Sequence, residues 1–367
     1  MKILIFSWRD IKHPYGGGAE LLSHEMAKRW VKSGHSVTHF SACFPDAKEN
    51  EVIDGVTYLR RGTWYNVHIL AFLNYLRGDF KDFDVIVDEV HGYPFFSALY
   101  SKKPVVCLAC EVAKEVWDQM YPFPINLIGK IVERLYLLLY RRVTFLTISE
   151  STKKDLVVNG IADKNITVIP MGFTYSLPKD IPEKSSLPTV IFLGRLAQSK
   201  GIEDAIKAFS IIKSKINNAK MWIVGRGEES YERRLRNLVR KLRLDKDIDF
   251  KGFVSQKKKF DLLVKAHLIL VPSVREGWGL IVPEANIVGT PAIVYNVPGL
   301  RDVTKNGVNG IIVKRNTPAD LAKESLRILK NKKLYQMFSS SAKRYARSMN
   351  WDDSATVALG IIKKETV

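Results

Sequence analysis

The chain opens with Lys2-Ile3-Leu4-Ile5-Phe6-Ser7, a short apolar run that is typical of a buried strand. A glycine-rich loop follows at Pro14-Tyr15-Gly16-Gly17-Gly18, and the apolar residues after it have helical spacing as far as Trp30. A second strand-like run comes next, His35-Ser36-Val37-Thr38-His39-Phe40. The order strand, glycine loop, helix and strand predicts the first βαβ unit of a parallel sheet.

The same order returns in the second half of the chain. Thr189-Val190-Ile191-Phe192-Leu193 is strand-like, Gly194-Arg195-Leu196 is a turn, and residues 202–212 have helical spacing before the run Met221-Trp222-Ile223-Val224. Further apolar runs of strand length occur at 85–87, 105–108, 146–148, 166–169, 268–271 and 292–295. Apolar runs separated by helical stretches indicate sheets covered by helices on both faces. The sequence therefore predicts an α/β protein with two Rossmann-like parallel-sheet domains.

A polar stretch that contains prolines, residues 178–186, is the best candidate for a linker between these domains. We therefore predict an N-terminal domain over residues 1–178, a linker over 179–187 and a C-terminal domain over 188–349. Ligands of such sheets bind outside the carboxyl ends of the strands. The glycine triplet and the turn at Gly194-Arg195 both occupy such positions, although a glycine triplet can also be only a tight turn.

The composition limits the class of partner. The chain has 367 residues, of which 46% are hydrophobic, enough for two cores, and its formal net charge is +19. Residues 1–200 hold 25 basic and 21 acidic side chains, and residues 201–367 hold 32 and 17. This field favours an anionic partner, which could be a nucleotide, a nucleic acid or a membrane surface, and charge alone does not choose among them.

The three cysteines, Cys43, Cys107 and Cys110, are too few for a disulfide framework. The spacing of Cys107 and Cys110 leaves two interpretations, small residues at the end of a strand or a redox or zinc pair. The first residues lack the layout of a signal peptide, and no apolar run approaches the roughly 20 residues that span a bilayer. We expect the protein to be cytoplasmic.

Two glutamates lie in the run Arg275-Glu276-Gly277-Trp278-Gly279-Leu280-Ile281-Val282-Pro283-Glu284. The glycines and the proline indicate a loop that leads into a helix, with Glu276 in the loop and Glu284 at the helix start. Amides of such a loop can bind phosphate, while carboxylates accept hydrogen bonds from hydroxyl groups. The arrangement suits a polyhydroxylated ligand that carries phosphate. Alternatively, Glu284 only complements the helix dipole.

Several short segments together carry a resemblance to a known family. They lie, in order, at 16–20, 148–151, 168–172, 194–196, 200–201, 223–225, 276–284, 289–291, 298–302 and 306–310. In their order and spacing they resemble the retaining, nucleotide-sugar-dependent glycosyltransferases of the GT-B fold, the large family that includes sucrose synthase-like and mannosyltransferase-like enzymes. The resemblance covers nearly the whole chain. It implies two domains facing each other across a cleft, with residues 350–367 as a closing helix that returns to the N-terminal domain.

The resemblance also implies roles for individual residues. Arg195 and Lys200 would hold the donor diphosphate, Glu284 the ribose, and Glu276 the donor sugar. General chemistry supports these roles for the two cations, because fixed positive charges stabilise a leaving nucleoside diphosphate without a metal. Alternatively, both residues are ordinary surface charges. The other implied donor contacts are the amides of Gly277, Trp278, Gly279 and Leu280, the loop residues Gly17 and Gly18, and Phe253 beside the base.

Cys110 is a departure from the pattern of the family. Similar sequences commonly have a histidine at this position, which touches the donor sugar, and a thiol does not replace an imidazole as a hydrogen-bond donor. His91 is a second tentative sugar contact that could supply the imidazole, or it is a structural histidine. Met171, where an asparagine is frequent, affects only a local turn contact.

The activity implied is transfer of a hexose-type unit from a UDP- or GDP-sugar to a hydroxyl of a glycan or lipid-linked acceptor, with retention, in polysaccharide or glycolipid assembly. The departing phosphate oxygen would take the acceptor proton, and the catalytic residues would be Glu276, Arg195 and Lys200. Neither a cofactor nor a metal is expected. Asp82-Phe83-Asp84 matches the D-x-D pattern of metal-using enzymes, but its position directly before a strand favours a strand-edge role.

Two rival functions and a membrane contact stay open. A GT-B-fold epimerase would act on the sugar nucleotide without an acceptor. A nucleic-acid-binding protein would use basic runs such as Lys257-Lys258-Lys259, but these are more typical of solvated surfaces, and no specific nucleic acid is expected. The run at 128–140, which Arg141-Arg142 follows, suits either a helix at an anionic membrane surface on the inner face of the cell membrane or a mostly buried core helix.

Overall fold

The computed structural model describes residues 1–114, 116–175 and 183–366. The chain divides into two compact units, one formed by Met1–Gly172 with Asn350–Val367 and the other by Phe173–Met349. The predicted boundary after residue 178 and the first half of the predicted linker lie among residues 176–182, outside the described residues. Within unit 1 the C-terminal segment is part of the same compact body as the N-terminal residues.

The first unit contains an eight-stranded sheet in the order β3-β4-β2-β1-β5-β6-β7-β8. All neighbouring strands are parallel except the pair β3 and β4. The strands are β1 (Lys2–Phe6), β2 (Ser36–Ser41), β3 (Asn50–Ile53), β4 (Val56–Arg60), β5 (Val85–Val90), β6 (Val105–Ala109), β7 (Thr144–Thr147) and β8 (Ile166–Val168).

The helices of this unit cover the sheet from both faces, as buried parallel strands require. They are α1 (Gly18–Lys32), α2 (Val67–Arg77), α3 (Ser97–Tyr100), α4 (Val116–Met120), α5 (Ile125–Leu139) and α6 (Glu150–Val158), with the C-terminal α14 (Trp351–Glu365). Helix α14 packs on α1, where the Trp30 indole N–H donates to the carbonyl of Ala355 at 2.9 Å. Ser354 on α14 also donates to the carbonyl of Pro170 at 2.6 Å.

The hairpin of β3 and β4 was not predicted. Its strands are short, and β3 is an edge strand whose residues alternate between exposed and half-buried, so it lacks the continuous apolar run that marks the other strands. The dipeptide Asp54-Gly55 is a sequence signal for the turn, and both of its residues have positive φ, 51° and 83°. A two-residue turn of this kind is the commonest connection of an antiparallel hairpin.

Helix α5 corrects one of the two interpretations of the run at 128–140. Only Glu133, Tyr136 and Leu137 of this helix are buried, and most of its other side chains are exposed. The interpretation of this run as a mostly buried core helix is therefore wrong. The apolar residues that face away from the core require another explanation.

The second unit contains a six-stranded parallel sheet in the order β11-β10-β9-β12-β13-β14. Its strands are β9 (Thr189–Leu193), β10 (Lys220–Val224), β11 (Ile248–Gly252), β12 (Leu268–Val271), β13 (Ala292–Val294) and β14 (Gly310–Ile312). The prediction of two parallel-sheet α/β domains is confirmed. The unpredicted strands β11 and β14 are the two edges, and β11 alternates polar and apolar residues because only one of its faces is covered.

The helices of the second unit are α7 (Ile202–Lys215), α8 (Glu229–Lys241), α9 (Gln256–Lys265), α10 (Ile281–Ile287), α11 (Leu300–Val303), α12 (Pro318–Leu329) and α13 (Lys332–Arg347). Several begin at side-chain caps, such as Thr317, whose hydroxyl accepts from the amide of Asp320 before α12. In the part of the chain that the structure describes, none of the helices has the length and apolarity to cross a membrane.

Candidate functional site

The candidate site of the second unit lies where β9 and β12 end. These strands are neighbours, with Val190 opposite Leu268 and Ile191 opposite Ile269, so the loops that follow them leave the same edge of the sheet. The backbone amide of Val274 donates to the carbonyl of Ser199 at 2.9 Å and joins the two loops directly. Ligands of parallel α/β sheets bind at this edge.

Two glycines allow the loops to approach closely. Gly201 has φ of 68°, and a Cβ there would lie 2.0 Å from the carbonyl oxygen of Pro272, in the loop after β12. Gly299 has φ of 77°, and a Cβ there would lie 2.0 Å from the carbonyl oxygen of Glu276. Any other residue at either position would push the loops apart, so the glycines set the position of the Glu276 backbone.

Lys200 and Glu276 form an ion pair across these loops, with 2.7 Å between Nζ and Oε1. The hydroxyl of Ser273 donates to the same carboxylate oxygen at 2.7 Å. The side chains of Lys200 and Glu276 are 26% and 15% exposed, so the pair is partly shielded but accessible to a ligand. Sequence reasoning identified the lysine and the glutamate but missed Ser273, which carries no signal beyond its place at the end of a strand.

A pocket of about 270 Å³ opens at this point. It brings together five of the predicted donor-binding residues, and these are Arg195, Lys200, Glu276, Gly279 and Leu280. The backbone of Gly194 and the ends of β9 and β12 complete its wall. Two cations, one carboxylate and glycine-rich backbone in one pocket can bind an anion beside a group that carries hydroxyls.

Glu284 does not line this pocket. It pairs instead with Lys259 of α9, with 2.6 Å between Oε1 and Nζ. Burial raises the pKa of Glu284, and the charge and hydrogen bond of Lys259 oppose this effect. The sequence interpretation of residues 257–259 as a solvated run is wrong for Lys259, because the helical turn of α9 points this one lysine at the glutamate.

Three other predicted contacts, Phe253, Trp278 and Gly277, also lie outside the pocket lining. The side chain of Phe253, which follows β11 at the sheet edge, is 75% exposed. The indole N–H of Trp278 is buried, and no acceptor lies within hydrogen-bonding distance among the described residues. Gly277, between Glu276 and Trp278, is half-buried.

In the first unit, the loop at Gly16-Gly17-Gly18 joins β1 to α1 at the carboxyl edge of the sheet. The amide of Gly17 donates to Oε2 of Glu20 at 2.6 Å, and Arg9 Nε lies 2.7 Å from Oε1 of the same glutamate. Burial would raise the pKa of Glu20, but His91, Arg9 and the Gly17 amide together lower it. Glu20 is thus a buried anion that holds the loop in place.

His91 and Cys110 follow adjacent strands, since Val90 of β5 is opposite Ala109 of β6. His91 Nε2 lies 3.4 Å from Oε2 of Glu89, whose other oxygen accepts a hydrogen bond from the hydroxyl of Ser23. Burial would lower the pKa of His91, but Glu89 and then Glu20 raise it. Burial raises the pKa of the Cys110 thiol well above its usual value, so this side chain is not a thiolate.

The remaining candidates have structural positions. Asp84 accepts a hydrogen bond from the amide of Lys2 at 2.7 Å, next to the first residue of β5. Cys43, Cys107 and Cys110 are free thiols. Across residues 1–114, 116–175 and 183–366, no three His, Cys, Asp or Glu side chains are grouped as metal ligands.

Comparisons with known proteins agree with this architecture. The family model Glycosyltransferase Family 4 matches residues 16–176, and the model Glycosyl transferases group 1 matches residues 176–345. An uncharacterized glycosyltransferase of Methanocaldococcus jannaschii is 25% identical over an alignment 404 positions long, which covers 99% of this chain and 98% of the relative.

Solved structures show the same fold. Sucrose-phosphate synthase from Thermosynechococcus elongatus superposes with a TM-score of 0.82 at 17% identity, covering 99% of this chain and 98% of that one. HepE from Anabaena, solved in complex with UDP and glucose, superposes with a TM-score of 0.76 at 17% identity, covering 99% of this chain and 100% of that one.

The protein is a glycosyltransferase of the GT-B fold. This follows from the two parallel-sheet units, the pocket at the strand ends of the second unit, and these matches. The two matched segments together extend over residues 16–345. The chain belongs to the glycosyltransferases in which a Family 4 segment precedes a group 1 segment.

Proposed function

We propose that this glycosyltransferase transfers a hexose-type sugar from a nucleotide diphosphate sugar to a hydroxyl acceptor, with retention of the anomeric configuration. The observation that carries the proposal is the pocket in which Arg195, Lys200 and Glu276 meet at the carboxyl ends of β9 and β12. Two cations beside a partly shielded carboxylate suit a charged diphosphate next to a sugar.

Each residue of the pocket has a distinct task in this reaction. Arg195 and Lys200 bind the diphosphate and stabilise the negative charge that develops on it as the bond to the sugar breaks. Glu276 accepts hydrogen bonds from sugar hydroxyls and orients the ring. The phosphate oxygen that leaves the sugar takes the proton of the attacking hydroxyl. The hydroxyl oxygen therefore bonds to the sugar carbon from the face that the phosphate leaves, and the configuration is retained.

The ion pair of Lys200 and Glu276 implies an exchange of partners on donor binding. Before binding, the ammonium group contacts Glu276. The diphosphate provides a second anionic partner for Lys200, which leaves the Glu276 oxygens available to the sugar. Glu284 has a parallel arrangement, since its partner Lys259 opposes the rise in pKa that burial causes, and we assign this carboxylate to the ribose hydroxyls.

For the first unit, the family resemblance assigns Gly17 and Gly18 to the phosphates, which requires the Gly17 amide to leave its bond with Glu20. We assign to His91 the imidazole that Cys110 does not supply. The ion pair with Glu89 supports this assignment, because it favours the cationic form of His91. Phe253 and Trp278 complete the donor contacts. With two fixed cations at the diphosphate, we expect transfer to persist in the presence of EDTA.

We assign the acceptor to the glycans or lipid-linked glycans of polysaccharide or glycolipid assembly, and the location to the cytoplasm with peripheral association at the inner face of the cell membrane. UDP is the first nucleotide to test, since the structural neighbour HepE was solved with UDP-glucose, and GDP is the second.

The test is thermal unfolding of the protein with UDP, GDP and ADP, repeated with Arg195→Ala and with Arg226→Ala as a matched control. Arg226 follows β10, the next strand of the same sheet, and does not line the pocket. The proposal predicts a rise in Tm with one nucleotide that only Arg195→Ala removes. An identical rise in both variants, or no rise with any nucleotide, would contradict the assignment of the pocket.

The sugar and the stereochemistry are tested with the nucleotide that binds. NMR of the reaction with its hexose derivatives distinguishes transfer to an acceptor with retention from acceptor-independent conversion of the donor. Conversion to an isomer without an acceptor would identify a GT-B-fold epimerase instead. Sequence-independent, salt-sensitive binding of nucleic acid would reflect only the net charge.

A further inference from the structure

The most unusual surface of the described chain is a set of large apolar side chains on helices of the first unit. On α5 eight of them are between 44% and 58% exposed, and these are Ile125, Leu127, Ile128, Ile131, Val132, Leu135, Leu138 and Leu139. At 100° per residue they occupy an uninterrupted arc of about 160° around the helix. A surface helix normally places charged residues on such an arc, so these side chains are positioned for an apolar environment.

Helix α2 has a matching stripe. Ile69, Phe72, Leu73 and Leu76 recur at intervals of three and four residues and are all exposed, and Tyr65 precedes them by one turn. The opposite side of the same helix, with Val67 and Ala71, is buried against the sheet. Helix α2 is therefore apolar on two sides, of which only one has a partner within the described chain.

Helices α2 and α5 lie on the same face of the sheet. Ile86 of β5 packs in the core cluster beneath α2, and Val90 of the same strand packs in the cluster beneath α5. Residues separated by an even number along a strand point to the same face. The two exposed stripes therefore belong to one layer of helices.

The short helix α3 lies between them in this layer. Its Tyr100 ring contacts Phe72 of α2, with ring centroids 5.0 Å apart. Asp88 of β5 accepts from the hydroxyl of Ser97 at 2.7 Å and from that of Tyr140, directly after α5, at 3.0 Å. Leu99 of α3 is also exposed, so the apolar surface continues from α2 to α5.

The polar surroundings of this layer favour an anionic bilayer as its partner. Lys102 and Lys103 follow α3, Arg141 and Arg142 follow α5, and Arg134 lies beside the apolar arc of α5. Two acidic residues nearby contribute little negative charge to this surface. Glu133 is buried and hydrogen-bonded to two amides, and Asp118 is paired with Lys130. The loop after α2 carries charges of both signs, Asp79 and Asp82 with Lys81.

A second copy of the chain fits this face less well. Its own basic residues would face those of the first copy, and each chain has a formal net charge of +19. Anionic lipid head groups have the opposite sign and complement the basic residues, while the acyl region accommodates the apolar arc.

Exposed aromatic side chains border the layer at its other edge. Trp64 and Tyr65 precede α2, and Tyr121 and Phe123 precede α5. Because helices in these units run antiparallel to the strands, both pairs lie toward the edge where the strands end, as does the Gly16-Gly17-Gly18 loop. Aromatic side chains of this kind concentrate at the level of lipid head groups.

We propose that the outer surface of α2, α3 and α5 docks as one face onto an anionic lipid bilayer and holds the ligand-binding edge of the first unit at the head groups. One consequence, that the acceptor is anchored in a lipid membrane, rests on the proposed function. The docking itself needs only the helices.

The experiment is sedimentation of the full-length protein with vesicles of phosphatidylcholine alone and with one third phosphatidylglycerol. Ile69→Glu on α2 and Leu135→Glu on α5 each place a charge in the face. Val357→Glu is the matched control, since Val357 is also an exposed apolar residue but lies on α14, the helix that packs on α1. Circular dichroism melting checks that each variant is folded.

The proposal predicts that the wild-type protein and Val357→Glu bind the anionic vesicles, and that either face variant lowers the partition coefficient by about tenfold or more. Normal binding by Ile69→Glu would show that α2 is not part of the face. Equal binding to phosphatidylcholine alone, or no binding to either vesicle, would overturn the anionic bilayer as partner. A wild-type dimer in light scattering that Leu135→Glu converts to a monomer would assign the face to a second copy.

The stabilisation by nucleotide is measured on the same four proteins. If it persists in both face variants while vesicle binding is lost, docking and donor binding are separate properties. If nucleotide stabilises none of the proteins, the proposed function fails while the docking result remains valid.

Discussion

Lys200 Nζ and Glu276 Oε1 are 2.7 Å apart, although the two residues belong to loops that follow different strands. The pair links the cation assigned to the diphosphate with the carboxylate assigned to the sugar. Each therefore partly neutralises the other until a ligand separates them.

The first prediction concerns this pair. Glu276→Gln keeps the size of the side chain but removes the charge that competes for Lys200. We expect sugar transfer to fall by about 100-fold or more, because the amide lacks the negative charge and has only one of the two oxygens that accept from the sugar hydroxyls. The affinity for the nucleoside diphosphate should rise by about threefold, since Lys200 no longer has an anionic partner in the protein.

Steady-state kinetics and calorimetric titration with the nucleotide measure the two effects separately. Ser273→Ala serves as the control, because it removes a hydrogen bond to the same oxygen without changing the charge. A weaker nucleotide affinity in Glu276→Gln would mean that Lys200 does not bind the diphosphate.

A second prediction concerns the buried indole N–H of Trp278, which lacks an acceptor among the described residues. Trp278→Phe removes this donor and leaves an aromatic ring. The free energy of unfolding without ligand should rise by about 1 kcal/mol, because a buried donor without a partner costs stability. If the N–H is kept for the donor substrate, the same variant should bind the nucleotide sugar about fivefold more weakly.

Denaturant unfolding and titration with the nucleotide sugar test both parts. Lower stability combined with unchanged affinity would assign the indole a packing role alone.

The third prediction separates His91 from Cys110. His91→Ala should lower kcat by about 100-fold, while Cys110→Ala should change it by less than about threefold, because only the imidazole is held by an ion pair. Equal losses in the two variants would argue against His91 as the replacement for the missing histidine.

The pH dependence follows from the direction of the His91 shift. Glu89 and Glu20 raise the pKa of His91 against the effect of burial, so the cation persists to a higher pH than in a free histidine. The rate should therefore be constant below the usual pKa and fall as pH rises through the raised pKa. Glu89→Gln should move this fall to lower pH, which a pH–rate profile measures.

The fourth prediction concerns Lys184, whose ammonium group donates to the carbonyl of Ala266 at 2.7 Å and to the hydroxyl of Thr290 at 2.8 Å. Burial, with a smaller effect of Lys343, lowers the pKa of Lys184 to about 7. Between this value and the ordinary lysine pKa of about 10.4, the unfolded chain binds the proton more strongly than the folded one.

Stability should therefore rise with pH over this interval through Lys184. Relative to Lys184→Met, the free energy of unfolding of the wild-type protein should increase by about 2 kcal/mol or more between pH 7 and pH 10. Chemical unfolding of both proteins at a series of pH values measures this difference. A constant difference would show that Lys184 keeps an ordinary pKa in the folded protein.

Much of the fold could be predicted because buried parallel strands are apolar on both faces. The strands β1, β6, β9 and β12 are of this kind, and each stands out as an apolar run. The strands β3 and β11 could not be found in this way, since each alternates between exposed and more buried residues, and β14 has only three residues.

The candidate site also has features that the sequence predicts and features that it does not. Glycines, prolines and charged residues at fixed spacing indicate which loops bind a ligand, and these are local properties of the chain. Partners are not local, because Lys259 and Glu284 are brought together only when α9 and α10 pack on the same sheet. No pattern along the chain distinguishes Lys259 from Lys257 and Lys258.

The sequence by itself determined the two βαβ domains, the family resemblance and most of the pocket, because apolar periodicity and glycine positions act over a few residues. Only the tertiary structure decided which charges pair, which cysteine is buried, and that the apolar residues of α2 and α5 share one exposed face. These properties depend on which surfaces remain uncovered after helices and sheets have packed, and such surfaces are formed by residues far apart in the chain.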